Sequence, residues 1–404
     1  MYRKKLRAFA LAASLAFFLL SLSACQNGQV GGEEYFAEFK IDAEQLYIDG
    51  KKISSSAYSS LNREAGELIR SIEREISLQF SESDICRINA AGANVPVTVG
   101  EHTYRMLELC KELFALTDGK FTPALLNLTH LWGFSPAYEG QYNRPRPEPS
   151  LQEIQTARAG CDFGDLMLLE GNTVVKKNAA LKLDLGGIAK GYMSDCLRAL
   201  ILKRYEGKMV DGSISVMSNI ILMGNYRENT AHTRPWRVSI DNPRTLVSEY
   251  MQCMRLPSVS SAAVTTSSDM YRFYSYGGKI YCHIIDPATG KPADRGIISI
   301  TIVVPDSVPS CGALADALST AGFCMKLTDA LSFYGRMGEA FGVSAIVICS
   351  DFNFYTVGNV QVENMSDVSA AFTDVFTRKN VADAQDIVIA DEREREYISR
   401  AGEL

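Results

Sequence analysis

The chain has 404 residues, 47% of them hydrophobic, which is enough apolar content for a large buried core and too much for a disordered tail. Its net charge of −6 becomes −10 once four cations near the N-terminus (Arg3, Lys4, Lys5, Arg7) are set aside. That balance argues against a polyanion such as nucleic acid as partner and leaves a small anion open, to be held by local geometry.

The four cations precede an apolar run from Ala8 to Leu20, shorter than a membrane span, and Leu22-Ser23-Ala24-Cys25 follows. Small residues ahead of a cysteine match the bacterial lipobox. The expectation is a signal peptide over 1–24, lipidation at Cys25, a polar tether over 25–34 and a membrane-anchored, extracytoplasmic protein; an ordinary signal peptide with a chance cysteine is the alternative. The main domain is expected over 35–362 and a C-terminal extension over 363–404, with the charged run Asp391 to Arg400 a solvated helix or tail. Ten cysteines less Cys25 leave nine, an odd number with no C-x-x-C spacing. Buried free thiols are expected, and disulfides stay open.

Residues 59–77 place Leu61, Ala65, Leu68, Ile69, Ile72 and Ile76 at helical spacing, and 103–116 do so with Leu107, Cys110, Leu113 and Phe114. The two helices flank a loop from Glu82 to Gly100. A Pro-rich stretch, Tyr142 to Pro149, reads as a surface connection. Leu181, Leu183 and Leu185 alternate as in a short strand, which Asp184 and a Gly-Gly turn end before Lys190-Gly191 opens a helix. Such a strand-to-helix turn, LDLGGIAKGY over 183–192, is shaped to cradle a phosphate, although Gly-Gly alone is more often only a turn. Ile298–Pro305 and Ser344–Ser350 read as buried strands, with a helix around 313–325 between them. Strands and helices mix without a βαβ rhythm, so the expected class is α+β.

Three further constellations carry chemistry. Asp316 and Thr320 stand at i and i+4, presenting a carboxylate and a hydroxyl on one helix face, the hard oxygens that Mg²⁺ takes; a helix cap or a solvent-facing acid is the plainer alternative. His283 and Asp286 precede a Pro-x-x-Gly turn that accounts for the aspartate, leaving His283 as an acid, base or donor. In TDGKFT (117–122) and LWGF (131–134), Phe121, Trp132 and Phe134 either stack on a planar ring or fill a core.

The order of the motifs is more specific than any one of them. S-x-x-x-R-x-N-A-A-G (from Ser83, within SDICRINAAG), TDGKF, LWGF, LDLGGIAKGY, PWRVSIDNP (235–243), TTSSD, HIIDPATG and DALST follow one another over roughly residues 60–350 as in the ApbE family, the FAD:protein FMN transferases, which this chain resembles. The resemblance implies the ApbE-type (T-fold-like) α+β architecture and Mg²⁺-dependent transfer of the FMN moiety of FAD to a threonine hydroxyl of an acceptor protein, with release of AMP. Rnf or sodium-pumping NADH:quinone reductase subunits, or another flavinylated extracytoplasmic protein, are the acceptors it implies. Lys120, Phe121, Thr122, Asp184, Lys190 and His283 match positions at the FAD. The Gly187 carbonyl, Asp316, the Ser319 carbonyl and Thr320 match metal-binding positions, and His283 matches the active-site histidine, taken here as the base. The chain departs from the family where Asn-x-Gly-Gly-Asn reads Ser215-Val216-Met217-Ser218-Asn219, where Thr-Ser-Gly becomes Thr266-Ser267-Ser268, where Gly-x-Phe-Asp becomes Gly119-Lys120-Phe121-Thr122, and where the aromatic before the Ser83 loop falls one place off, at Phe80. These changes touch the flavin or acceptor pocket more than the phosphate chemistry. Mg²⁺-dependent hydrolysis of FAD to FMN and AMP, and a surface lipoprotein that binds FAD without turnover, are the competing functions.

Overall fold

The β-branched runs form the centre of the molecule. A computed structural model describes residues 37–244, 252–364 and 376–385, so Cys25, the leader, the tether and the charged run 391–400 lie outside the described residues. The mixed class is as expected. A ten-stranded sheet contains β1 (Phe39–Ile41), β2 (Tyr47–Ile48), β3 (Lys51–Lys52), β4 (Val210–Val216), β5 (Asn219–Met223), β6 (Ala262–Ser268), β7 (Ile297–Pro305), β8 (Ser344–Cys349), β9 (Asn353–Val357) and β10 (Thr377–Arg378). The order is β10-β9-β8-β7-β6-β5-β4-β2-β3, with β1 also on β4; every pair is antiparallel except β9 with β10.

Eight α-helices are described: α1 (Ser55–Ile76), α2 (Asp84–Ala90), α3 (Glu101–Leu116), α4 (Leu126–Leu131), α5 (Leu151–Arg158), α6 (Ala189–Arg204), α7 (Cys311–Phe323) and α8 (Leu327–Phe341). The amphipathic stretches expected near 59–77 and 103–116 are α1 and α3, both starting a few residues earlier. The helix α7 packs on β6, β7 and α6.

Because side chains alternate across a strand, β6 serves two layers. Ser267 faces α7, where its Oγ lies 2.7 Å from that of Ser319. Ala262 and Val264 face the opposite way and join a core with Trp236, Val238, Leu256, Ile346 and Phe354. That second core is covered by Trp236–Asp241, Gln252–Val259 and Glu363–Asn364, which form a three-stranded sheet.

Pairing with the body of the fold continues past residue 362. Glu363 and Asn364 pair with Arg255 and Met254, β10 extends the large sheet, and Phe376 packs on Phe352 with ring centroids 5.5 Å apart.

The aromatic question is answered in favour of the core. Phe134, Tyr274, Tyr281 and Trp132 form a ladder with successive centroids 5.5, 5.2 and 5.5 Å apart and planes within 23°. Trp132 and Phe134 are buried, and the Trp132 indole N–H donates to the Gly290 carbonyl at 2.8 Å. The nine cysteines of the described residues are all free thiols.

Candidate functional site

LDLGGIAKGY forms no strand, which corrects one expectation. Residues 181–185 alternate in burial as read, with Leu181, Leu183 and Leu185 buried, yet no strand pairs with them. The bonds a neighbouring strand would supply come instead from one side chain. Asn89, at the end of α2, accepts from the Leu183 N–H at 2.7 Å and donates to the Leu183 carbonyl at 2.9 Å. Lys176, itself buried, braces the same stretch by donating to the carbonyls of Leu181 (3.0 Å) and Asn89 (3.3 Å). Burial, with Lys182 nearby, pushes the Lys176 ammonium down to about 8. Replacing Asn89 with leucine would leave both groups of Leu183 buried and unpaired, so a loss of roughly 3 kcal/mol in urea unfolding is expected. A change below about 1 kcal/mol would show that Asn89 does not hold this segment.

Beyond this clamp the backbone turns. The Asp184 N–H donates to the Pro123 carbonyl at 2.8 Å, and its carboxylate accepts from the Gly186 N–H at 2.8 Å. Phe121 lies under the turn: a β-carbon on Gly187 would come within 3.3 Å of its ring. TDGKFT therefore supports LDLGG from below. Within it, the Thr117 hydroxyl accepts from the Phe121 N–H at 3.0 Å and the Thr122 hydroxyl accepts from the Ala124 N–H at 3.2 Å. Lys120, partly buried, stands on the same turn.

The next residues start α6, whose N-terminus points its partial positive charge at the turn. The Lys190 ammonium reaches the Gly186 carbonyl at 3.1 Å and Oδ1 of Asp316 at 3.0 Å. The other Asp316 oxygen accepts from the Gly191 N–H at 3.2 Å. Asp316 is 1% exposed in the middle of α7, so it is neither a helix cap nor a surface acid. Burial pushes its carboxyl above the usual carboxylate range, opposed by Lys190 and by the Gly191 N–H. One turn on, the Thr320 hydroxyl donates to the Asp316 carbonyl at 3.2 Å, and the Ser319 hydroxyl donates to the same carbonyl at 2.9 Å.

His283 completes the group, partly buried beside Arg272. Its backbone N–H donates to the Arg272 carbonyl at 3.0 Å, and its Nδ1 lies 3.3 Å from that carbonyl. A carbonyl only accepts, so Nδ1 carries the proton and Nε2 is the basic nitrogen. Burial, then the cations Arg272 and Lys190, push the ring down to about 3. Arg272 and Lys190 also oppose the rise that burial imposes on Asp184. Asp286, its neighbour in sequence, is structural: its carboxylate accepts from Ala288 N–H at 2.9 Å and pairs with Arg295 at 2.5 Å.

Arg272 was missed in the sequence, and so was Tyr142, whose ring lies 4.9 Å beneath its guanidinium. The Pro-rich connection therefore borders the site. The only signal for Arg272 was its place three residues after TTSSD. The replaced glycines leave the fold intact. Val216 pairs with Asn219, so Met217 and Ser218 form a two-residue hairpin turn with Met217 at φ +50° and half exposed. Ser268 donates to the Ile298 carbonyl at 3.3 Å.

Among the described residues no three His, Cys, Asp or Glu side chains stand together as a metal cage. One buried carboxylate, one hydroxyl and main-chain carbonyls fit Mg²⁺, which uses few protein ligands and completes its shell with phosphate oxygens and water. A glycine turn, a helix N-terminus, a lysine and these oxygens together make a site for handling a phosphate group.

The ApbE family model matches residues 39–343, and the chain belongs to that family. The FAD:protein FMN transferase of Treponema pallidum is 28% identical over 341 residues, 81% of this chain and 89% of that protein. That of Vibrio cholerae serotype O1 is 28% identical over 68% of this chain and 77% of its own length. The crystal structure of the ApbE protein of Thermotoga maritima matches with a TM-score of 0.63 at 27% identity, covering 83% of this chain and 98% of that one.

Proposed function

We propose that the protein transfers the FMN moiety of FAD to a threonine hydroxyl of an acceptor protein, releasing AMP. The observation that carries this reading is the meeting of Lys190 and Asp316, 3.0 Å apart, at the glycine turn where α6 begins. Asp316, Thr320 and the carbonyls of Gly187 and Ser319 would hold Mg²⁺, which supplies positive charge to the pyrophosphate. The Lys190 ammonium would neutralise charge on the same group. The acceptor oxygen bonds to the FMN-side phosphorus as the bridging P–O bond breaks and AMP leaves with the bridging oxygen. His283 Nε2 takes the hydroxyl proton. The leader and Cys25 support a lipid-anchored, extracytoplasmic placement, where an Rnf or sodium-pumping NADH:quinone reductase type subunit, or another exported flavoprotein, would be the acceptor.

The full chain incubated with FAD, Mg²⁺ and such an acceptor domain should produce fluorescent acceptor in a denaturing gel, together with AMP. AMP without labelled acceptor would make the protein a hydrolase, and bound FAD without either product would make it a binding protein.

Burial depresses His283 most, and the two cations that add to it are the groups a pyrophosphate would neutralise, so substrate should remove their share and raise its pKa. The acid limb of kcat should then lie at least about one pH unit above that of kcat/KM, because the first reports the complex and the second the free enzyme. Coinciding limbs would remove His283 from the role of base.

A further inference from the structure

The helices α6 and α7 carry the same local pattern. Gly191-Tyr-Met-Ser-Asp195 opens α6 and Gly312-Ala-Leu-Ala-Asp316 opens α7. Each aspartate accepts from the glycine N–H of the other helix: Asp316 from Gly191 at 3.2 Å, and Asp195 from Gly312 at 2.9 Å. The residue before each glycine also reaches across, Lys190 to Asp316 at 3.0 Å and the Cys311 thiol to Asp195 at 3.7 Å. The two glycines touch, since a β-carbon on Gly312 would lie 2.5 Å from the Gly191 carbonyl.

Half of this clamp is the proposed phosphate site, and the other half has no chemistry of its own. Its task is visible at the start of α7. Ser310, the residue before that helix, is left-handed (φ 52°) and its side chain makes no capping bond. The cap comes from Asp195, whose two oxygens take the N–H groups of Gly312 and Ala313 at 2.9 Å each. An ionised side chain at these donors also matches the positive end of the helix. Asp316 follows one turn later on the same rigid element, so whatever fixes Gly312 fixes the Asp316 carboxylate.

We propose that Asp195 is a positioning residue for the metal and phosphate site, setting Asp316 through a cap supplied by α6 to the first turn of α7. The proposal rests on the magnesium reading of Asp316. Asparagine at 195 offers one acceptor for two donors and turns an amide N–H toward the other, so the first turn of α7 must shift or fray. Asp316 then no longer meets Lys190 and the Gly191 N–H in register.

The test uses Mn²⁺ alone as probe, with the free ion followed by EPR in titrations of the purified full chain. Asp195→Asn should weaken Mn²⁺ binding at least about tenfold, a shift of about 1.4 kcal/mol. Leu256→Ala, a truncation in the core on the other face of the sheet, should lower the melting temperature without changing Mn²⁺ affinity. If Asp195→Asn does not fold, Asp195→Glu, which keeps the charge and displaces it by one methylene, is measured instead. Unchanged affinity in a folded Asp195 variant overturns the proposal and leaves Asp195 a stability residue. Wild-type protein that binds no Mn²⁺, or binds it undiminished in Asp316→Ala, overturns the magnesium reading itself and the proposal with it.

Discussion

Asp316→Asn is expected to lower FMN transfer by about a thousandfold or more while leaving the protein folded. The carboxylate has three tasks in one place: it faces the Lys190 ammonium at 3.0 Å, accepts from the Gly191 N–H at 3.2 Å, and offers Thr320 and itself on one face of α7. Asparagine has nearly the same shape and keeps an oxygen for the Gly191 N–H, so the close seam between the helices should survive. What it removes is the negative charge. Burial already holds the Asp316 carboxyl above its ordinary range, which means the fold carries that charge at a cost. A neutral isostere relieves the cost and leaves Lys190 without its ion pair but partly exposed and still donating to the Gly186 carbonyl, so the melting temperature should move by only a few degrees. Transfer, measured as flavin fluorescence on the acceptor at saturating FAD and Mg²⁺, should nearly vanish. Retention of more than a tenth of the wild-type rate would show that Asp316 neither holds the metal nor sets Lys190 for the chemistry.

The buried strands and the long amphipathic helices were legible because their signal is periodic and local. Ile297–Pro305 and Ser344–Cys349 are apolar runs of strand length, and α1 repeats its apolar residues over 22 positions. The site was legible through its motifs, since Lys190 and Asp316 stand 126 positions apart and only their spatial meeting gives either a role. What could not be read were side chains that act on distant backbone. Leu181 to Leu185 alternate as in a strand, but the partner is the Asn89 carboxamide, which periodicity does not encode. Arg272 and Tyr142 meet at the site from two connections whose composition signals only turns. Phe376 docks on Phe352 from a segment whose average polarity outweighs one ring.

The glycines of the helix seam give the sharpest contrast between sequence and structure. Gly191 lies inside α6, where alanine is favoured by about 1 kcal/mol on helix propensity, so propensity alone predicts that Gly191→Ala stabilises the protein. Packing predicts the reverse. A β-carbon at Gly191 would overlap the Gly312 carbonyl and stand 2.7 Å from the Ala313 α-carbon. These are main-chain atoms of another helix, with no rotamer to move away, so the helices must separate. Separation stretches the Gly191 bond to Asp316 and the Gly312 bond to Asp195 together. Overpacking costs about 1–3 kcal/mol in ordinary cores. With these two charge-assisted bonds added, at roughly 1.5–3 kcal/mol each, the loss should exceed the propensity gain severalfold. Gly191→Ala is therefore expected to unfold at lower denaturant by about 3 kcal/mol or more and to lose flavin transfer even where it remains folded. A midpoint at or above that of the wild type would mean that α6 and α7 do not meet through these glycines, and the register of Lys190 with Asp316 would need another origin.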